Sequence, residues 1–275
     1  MKKQTTGLIR NITDKYYTNK AAVTLCIEAI KQHIVINSST HLIIEPSAGN
    51  GAFIDSIKTL TTNHVFYDIY PEHKEILKVD FIADVVIQNS DKYESIHVIG
   101  NPPFGRQSSL AIKFIKKSAQ FANSISFILP RSFKKDSLKK HFPHHFHLIY
   151  EIDIPSESFL VNDIVHDVPC VFQIWVKKDT KRFIKNKPVP NNYVFVKKND
   201  IHDISVRRVG VYAGEISRET EGKSIQSHYF IKFANCIDEK TYDLLSNIIY
   251  ECKENTVGPK SISKPELIEE FNKIL

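Results

Sequence analysis

The sequence predicts an α/β fold on a mostly parallel sheet, followed by a small α+β extension. Three observations carry this expectation. Short runs rich in branched and aromatic residues alternate with helical patterns over roughly the first 180 of 275 residues, the order produced when parallel strands are joined by crossover helices. A glycine-bearing turn, EPSAGNGAF (45–53), follows the first strand directly. Near Lys177 the texture changes to KKDTKRFIKNKPVPNN, polar, basic and twice interrupted by proline, which marks a connection between parts.

Taken in order, the expected strands are 41–45 (HLIIE), 64–69 (HVFYDI), 96–100 (IHVIG), 125–129 (ISFIL), 148–154 (LIYEIDI) and 170–176 (CVFQIWV). Helical patterns fall at 21–34, 108–121 and 133–140, the last introduced by Pro130-Arg131-Ser132, a fair start signal. Only a loop, PSESFLVNDIVHDVP, separates the last two strands, so they are expected to pair antiparallel and close one edge of the sheet. Further on, NYVFV, ISVRRVGVYAGEI and SHYFIKF read as short strands and 238–252 as a helix. A short final helix is expected from Pro265, whose fixed φ suits a first turn. The expected division is 1–178 for the main domain and 179–275 for a small second region.

The chain is 42% hydrophobic and 25% charged, a globular balance that excludes a fibrous or wholly disordered protein. No apolar run approaches the roughly 18 residues of a membrane span, and the N-terminal stretch lacks the apolar segment of a secretory signal. The four cysteines, Cys26, Cys170, Cys236 and Cys252, lie far apart and form no CxxC. Reduced thiols and an intracellular setting are therefore expected.

Net charge is +6, and nine Lys or Arg stand between Arg106 and Tyr150 against one acid, Asp136. A field of that kind suits a polyanion such as nucleic acid; a solvated helical face is the alternative. Arg106, Arg131, Lys134 and Lys135 are the candidate contacts in this stretch. Arg207 and Arg208 join them, because a planar guanidinium fork matches phosphate or guanine. The histidines of HFPHHFH (141–147) match no common ligand spacing, so no metal is expected.

Gly49 and Gly51 let the backbone pass close to a ligand at the start of the next helix. The turn has neither GxGxxG nor GK[ST], which lowers the rank of NAD and ATP. Asp68, at the end of the second strand, stands where an acid can accept both hydroxyls of a ribose. Asp80 and Phe81 follow at the next strand end, where a carboxylate and a ring could hold an adenine. After the next strand comes Asn101-Pro102-Pro103-Phe104. Two prolines fix the backbone and remove two N–H donors. That leaves the Asn101 side-chain oxygen and the Pro102 carbonyl free to accept from one amino group, with Phe104 as a flat stacking surface.

With these residues the chain resembles S-adenosylmethionine-dependent methyltransferases of the Rossmann-like class, and among them the amino-methyltransferases that act on N6 of adenine. The matching pieces are Asp14-Lys15-Tyr16-Tyr17-Thr18, EPSAGNGAF, Asp68 in YDIYP, VDF at 79–81, and NPPF. They span about 180 residues, and their order is similar to the γ arrangement of DNA adenine methyltransferases. The resemblance implies a class I methyltransferase fold, a seven-stranded, mostly parallel sheet with an antiparallel edge. It implies S-adenosyl-L-methionine as cofactor, with Tyr17 and Thr18 at its methionine end. Glu45, Ser47, Gly49 and Gly51 would form the turn, with Asp68 at the ribose and Asp80 with Phe81 at the adenine. Asn101, Pro102, Pro103 and Phe104 would be catalytic, acting on a base flipped from DNA. RNA adenine is the alternative substrate, and a protein glutamine or an inactive nucleic-acid-binding subunit ranks below it. Residues 179–275 would be a small target-recognition region. Phe104 departs from the tyrosine common at that place, and the region after Lys178 is short for a γ recognition domain. Self-association or a partner subunit is left open.

Overall fold

The computed structural model describes residues 16–85, 92–161 and 164–275, and divides the chain into two compact units, Met1–Phe183 and Ile184–Leu275. In chain order the first unit runs β1 (Tyr17–Thr18), α1 (Lys20–His33), β2 (His41–Glu45), α2 (Ile54–Lys58), β3 (Asn63–Asp68), β4 (Leu77–Lys78) and β5 (Ser95–Gly100). It continues with α3 (Ser109–Ser118), β6 (Ser124–Pro130), α4 (Asp136–Lys139), β7 (Phe146–Asp153), β8 (Phe159–Val161), β9 (Ile164–His166) and β10 (Cys170–Lys177).

Seven of these strands form one sheet in the order β4-β3-β2-β5-β6-β10-β7. The pairs from β4 to β6 are parallel, and β10 runs antiparallel to both β6 and β7. This is a Rossmann-like α/β sheet, mostly parallel with one reversed strand. The reversed strand is not itself the edge. It is slotted between β6 and β7, so the edge strand β7 points the same way as the parallel set.

The central strands are buried on both faces, which is why ISFIL and CVFQIWV read as continuous apolar runs rather than alternating ones. Leu42, Ile44, Ile96, Val98, Ile125, Phe127 and Trp175 pack in one core with Ala111, Phe114 and Ile115 of α3. Asn19 caps α1, its side-chain oxygen accepting from Ala22 N at 2.9 Å, and the helix buries Ala22, Val23, Cys26, Ile27, Ala29 and Ile30, an apolar stripe at helical spacing. At the β10 side, Trp175 stacks on Phe142 with ring centroids 4.0 Å apart. Buried Gln173 is fully used there: its amide donates to Phe133 O at 3.1 Å and Glu151 Oε2 at 2.6 Å, and its oxygen accepts from Trp175 Nε1 at 2.9 Å.

Three expectations change. The stretch 133–140 is a 3-10 turn, Arg131–Lys134, followed by the single turn of α4, because Lys135 between them is extended (φ −81°, ψ 139°). The loop 155–169 carries a hairpin, β8–β9, whose β8 pairs antiparallel with β1 (Tyr17 opposite Leu160, Thr18 opposite Phe159). The first unit also runs to Phe183, because Arg182 turns back onto it. Its guanidinium donates to the carbonyls of Pro143, Phe146, Lys139 and Phe142 at 2.7–3.1 Å and lies 5.2 Å from the Trp175 ring.

The second unit holds β11 (Tyr193–Val196), β12 (Ile204–Arg207), β13 (Ile216–Ser217), β14 (His228–Phe233), α5 (Glu239–Ser246) and α6 (Lys264–Phe271). Its four strands form an antiparallel sheet in the order β11-β14-β12-β13. The helix expected over 238–252 stops at Ser246, and buried Tyr250 enters the core of this unit at the break. The final helix starts as expected, with Pro265 in its first turn and a capping box between Ser263 and Glu266. No helix among the described residues is long and apolar enough to cross a membrane.

Candidate active site

A parallel sheet offers ligands the crevice beyond the carboxyl ends of its strands, and here that crevice is a cleft of about 440 Å³. The ends of β2, β3, β4 and β5 deliver Ser47 and Gly49, Asp68, Asp80 and Phe81, and the Asn101–Phe104 run, respectively; β1 adds Tyr17.

The glycine turn is built for close approach. Gly49 has φ +53° and Gly51 φ +86°, values in which a side chain is strained. A Cβ on Gly51 would sit 2.7 Å from Ile54 Cδ1 and 3.3 Å from His73. Gly49 N donates to Asp68 Oδ2 at 2.8 Å, and Tyr70 N donates to Asp68 Oδ1 at 2.7 Å. The acid thus locks the turn to the end of β3 while each oxygen keeps lone-pair capacity for a ligand. Tyr17 closes the turn from above. Its ring carbons would stand 3.5 and 3.7 Å from a Gly49 Cβ, and its hydroxyl donates to Glu72, whose backbone N donates to Gly49 O.

Behind the turn lies Glu45. It is 2% exposed, its Oε2 has no hydrogen-bond partner among the described residues, and its stem packs against Gly100. Burial, with the Asp68 charge as a second cause, pushes its carboxyl up to about 8.

On the opposite wall, Ser47 Oγ donates to the backbone oxygen of Asn101 at 3.4 Å, and Asn101 Nδ2 donates to Thr18 Oγ1 at 3.1 Å and to Tyr16 O at 3.4 Å. Pro102, Pro103 and Phe104 continue along the cleft. The chain then passes through Gly105, Gln107 and Ser108, all at positive φ (66°, 53° and 62°), and the Phe104 carbonyl accepts from Leu110 N and Ala111 N at the start of α3. Departures of this kind concentrate at functional sites, where the surroundings hold them in place.

Of the residues expected at the site, Tyr17, Ser47, Gly49, Asp68, Asp80, Phe81, Asn101, Pro102, Pro103 and Phe104 all line this one cleft. Thr18, Glu45 and Gly51 do not line it. Phe81 reaches the cleft with a ring 1% exposed, stacked 5.6 Å from Phe114 and nearly parallel to it, so its ring is committed to the core. Asp80 bends the chain, its Oδ1 accepting from Ile82 N and Ala83 N. Asp14 and Lys15 lie outside the described residues. The cleft also includes Tyr16, Ile69, Tyr70, Ile82, Leu110 and Phe114. Ile69 and Tyr70 could have been anticipated, since they directly follow the strand-end acid and are more than half exposed (52% and 59%).

The basic candidates are spread. Arg106 is exposed, two residues past Phe104. Arg131 Nε and Lys134 Nζ face Asp153 at 3.5 and 2.8 Å, and Lys139 faces Glu151 at 3.2 Å. Lys135 is half-buried. Arg207 and Arg208 belong to the second unit. Arg207 Nε donates to Val209 O and the guanidinium lies 5.8 Å from the Tyr212 ring, while Arg208 lies 5.3 Å from the Tyr229 ring. No group of three or more potential metal ligands occurs among the described residues.

No family model and no curated protein matches the sequence. Among solved structures, the chain is similar to a protein of Pyrococcus horikoshii provisionally assigned as an RNA methyltransferase, at 15% identity over 63% of this chain and 93% of that one, with a TM-score of 0.45. It is also similar to the N-methyltransferase NodS of Bradyrhizobium japonicum, at 8% identity over 58% of this chain and 96% of that one, with a TM-score of 0.42. A type I restriction-modification methyltransferase subunit of Streptococcus thermophilus is 12% identical, over 60% of this chain and 44% of that one, with a TM-score of 0.42.

Proposed function

We propose that the chain is an S-adenosyl-L-methionine-dependent methyltransferase acting on the N6 amino group of adenine in nucleic acid, with DNA as the first substrate and RNA as the second. The observation that carries this reading is the Asn101 amide. Its nitrogen donates to Thr18 Oγ1 and Tyr16 O, which leaves Oδ1 as the acceptor end, and Asn101, Pro102 and Phe104 line one cleft.

The residues present fit the cofactor. The Gly49 backbone bends where any side chain would be strained, the Asp68 carboxylate stands at the strand end with lone pairs to spare, and Ile69 and Ile82 offer apolar contact along the same cleft. In this reading Tyr17, Ser47 and Gly49 line the methionine side, Asp68 holds the ribose hydroxyls, and Asp80 and the Phe81 backbone meet the adenine. When bound, the cofactor supplies an electrophilic methyl group on a sulfonium. The chain does the rest by positioning. A target adenine swung out of its stack costs a few kcal/mol and is received on the Phe104 ring. Asn101 Oδ1 and Pro102 O each accept from an N6 hydrogen, drawing the nitrogen lone pair out of conjugation with the ring and toward the methyl donor. These acceptors bind the pyramidal amine better than the planar one, and that difference is what lowers the barrier. Arg106 and the exposed lysines of α3, which follow the NPPF turn in the chain, would take phosphates, with the second unit contributing recognition through Arg207 and Arg208.

The test is incubation with labelled S-adenosylmethionine and duplex DNA, single-stranded DNA, RNA and protein in parallel, followed by nucleoside and peptide mass spectrometry. N6-methyladenine in a nucleic acid, lost in Asn101→Ala at unchanged cofactor affinity, supports the reading. Label in protein alone, or full turnover by Asn101→Ala, overturns it.

A further inference from the structure

We propose that Thr18 is a positioning residue for Asn101: beside the Tyr16 carbonyl, which selects the nitrogen end of the amide, its hydroxyl holds that end away from the cleft. The inference rests on the amino-methyltransferase reading and departs from the cofactor-binding role that the resemblance gives Thr18.

An asparagine amide is nearly symmetric in shape and opposite in chemistry at its two ends. Turned one way it presents an acceptor to a substrate amine; turned the other it presents two N–H donors to the amine's own hydrogens and repels them. A rotation about one side-chain bond therefore separates a working site from a dead one, and something must choose. The Tyr16 carbonyl makes the choice, and the Thr18 hydroxyl, two residues on, holds the amide there. The Tyr16 carbonyl, 3.4 Å from Nδ2, can only accept, so the atom facing it must be the nitrogen. Thr18 Oγ1, at 3.1 Å, takes the other side of the same NH₂ group. Thr18 is 8% exposed and outside the cleft lining, so in this structure its hydroxyl serves the asparagine.

The segment that carries both groups, residues 16–18, is itself held. Thr18 pairs with Phe159 of β8, and Asn19 N donates to Ser158 O at 2.9 Å. Asn19 Nδ2 reaches Glu157 O at 3.0 Å, and the Tyr16 ring meets His166 of β9 edge-on at 6.0 Å. The hairpin that the sequence presents as a loop thus anchors the two acceptors that orient the catalytic amide. A positioning group is worth placing only on an element that does not move, and this one is tied at both ends.

The experiment compares wild type with Thr18→Val, which keeps the shape and the strand preference and removes the hydroxyl, and with Thr18→Ser, which restores the hydroxyl alone. Two readouts are taken on the full chain. The first is the Asn101 side-chain NH₂ signal in a proton–nitrogen correlation spectrum, assigned by its loss in Asn101→Ala. The second is methyl transfer, separated into kcat, KM for nucleic acid and Kd for the cofactor. Thr18→Val is expected to shift and broaden the NH₂ pair and to lower kcat about five- to tenfold, the size of one net hydrogen bond, with cofactor Kd within about threefold; Thr18→Ser recovers both. An NH₂ pair unmoved in Thr18→Val overturns the proposal. So does a Thr18→Val variant whose cofactor Kd rises tenfold at unchanged kcat, which returns Thr18 to the cofactor. If wild type methylates none of the substrates, the functional reading fails, and the NH₂ signal still decides the orientation.

Discussion

The carboxyl of Glu45 makes a quantitative handle on the first unit. Its folded-state titration near 8, against an ordinary value of 4.5, arises from burial and then from the Asp68 charge. An acid whose folded value is raised holds its proton in the native state after the unfolded chain has lost it. Stability contributed by the neutral form is therefore complete below about 4.5, falls as pH rises from there, and levels off above about 8. At about 1.4 kcal/mol per pH unit the ceiling is about 5 kcal/mol across the window, and local relaxation around a new buried charge lowers it. Glu45→Gln, neutral at every pH, should remove this share of the slope. The assay is urea unfolding at pH 5, 6, 7 and 8 followed by fluorescence of the single tryptophan, Trp175, which lies in the same unit as Glu45. We expect wild type to lose about 2 kcal/mol or more relative to Glu45→Gln between pH 5 and pH 8. Equal pH slopes in the two proteins would refute the reasoning, whatever their absolute stabilities.

Arg182→Ala should remove a donor shared by four carbonyls, of which Lys139 O and Pro143 O keep a backbone donor, and uncover one face of Trp175, lowering the stability read by that fluorescence by about 2 kcal/mol. Gly105→Ala places a Cβ 2.8 Å from Leu110 Cγ and 3.0 Å from Leu110 N at φ +66°; the turn after Phe104 must shift, so kcat should fall with cofactor binding measured by calorimetry largely kept. Asp153→Asn releases Arg131 and Lys134 from their shared acid. If nucleic acid crosses that surface, anisotropy titrations should show tighter binding at low salt and a log–log salt slope steeper by about one; an unchanged slope moves the contact surface elsewhere.

How much of this was legible in the sequence depends on how local the cause was. Central strands buried on both faces announce themselves as apolar runs, so β2, β5, β6 and β10 were found nearly to the residue, and the turn and NPPF residues converge because strand ends converge. The hairpin β8–β9 was read as a loop, because its strands are three residues each and are specified by a partner, β1, far away in the chain. β4, two residues long, carries no pattern at all. The basic stretch looked bare because its acids, Glu151 and Asp153, sit just past the window and reach back only once β7 is folded. Arg182 was read as part of a polar connection, and nothing local distinguishes a clamp from a solvated arginine. The role of Thr18 had the same difficulty: a threonine at a strand end shows its hydroxyl, and only the folded register shows what the hydroxyl holds.

The pairing of β1 with β8 also bears on the order in which the protein becomes competent during its own synthesis. Residues 45–104, with both signature turns, leave the ribosome well before residues 159–166, and until the later segment arrives β1 has no partner strand. At about 5–20 residues per second the interval between Thr18 and Phe159 is on the order of ten seconds. For that time a nascent chain holds the glycine turn and the asparagine but lacks the wall that aims them. A chain stopped short of Phe159 would keep every recognisable motif and have no strand to seat Thr18, so intact motifs in a truncated product are no sign of a working cleft.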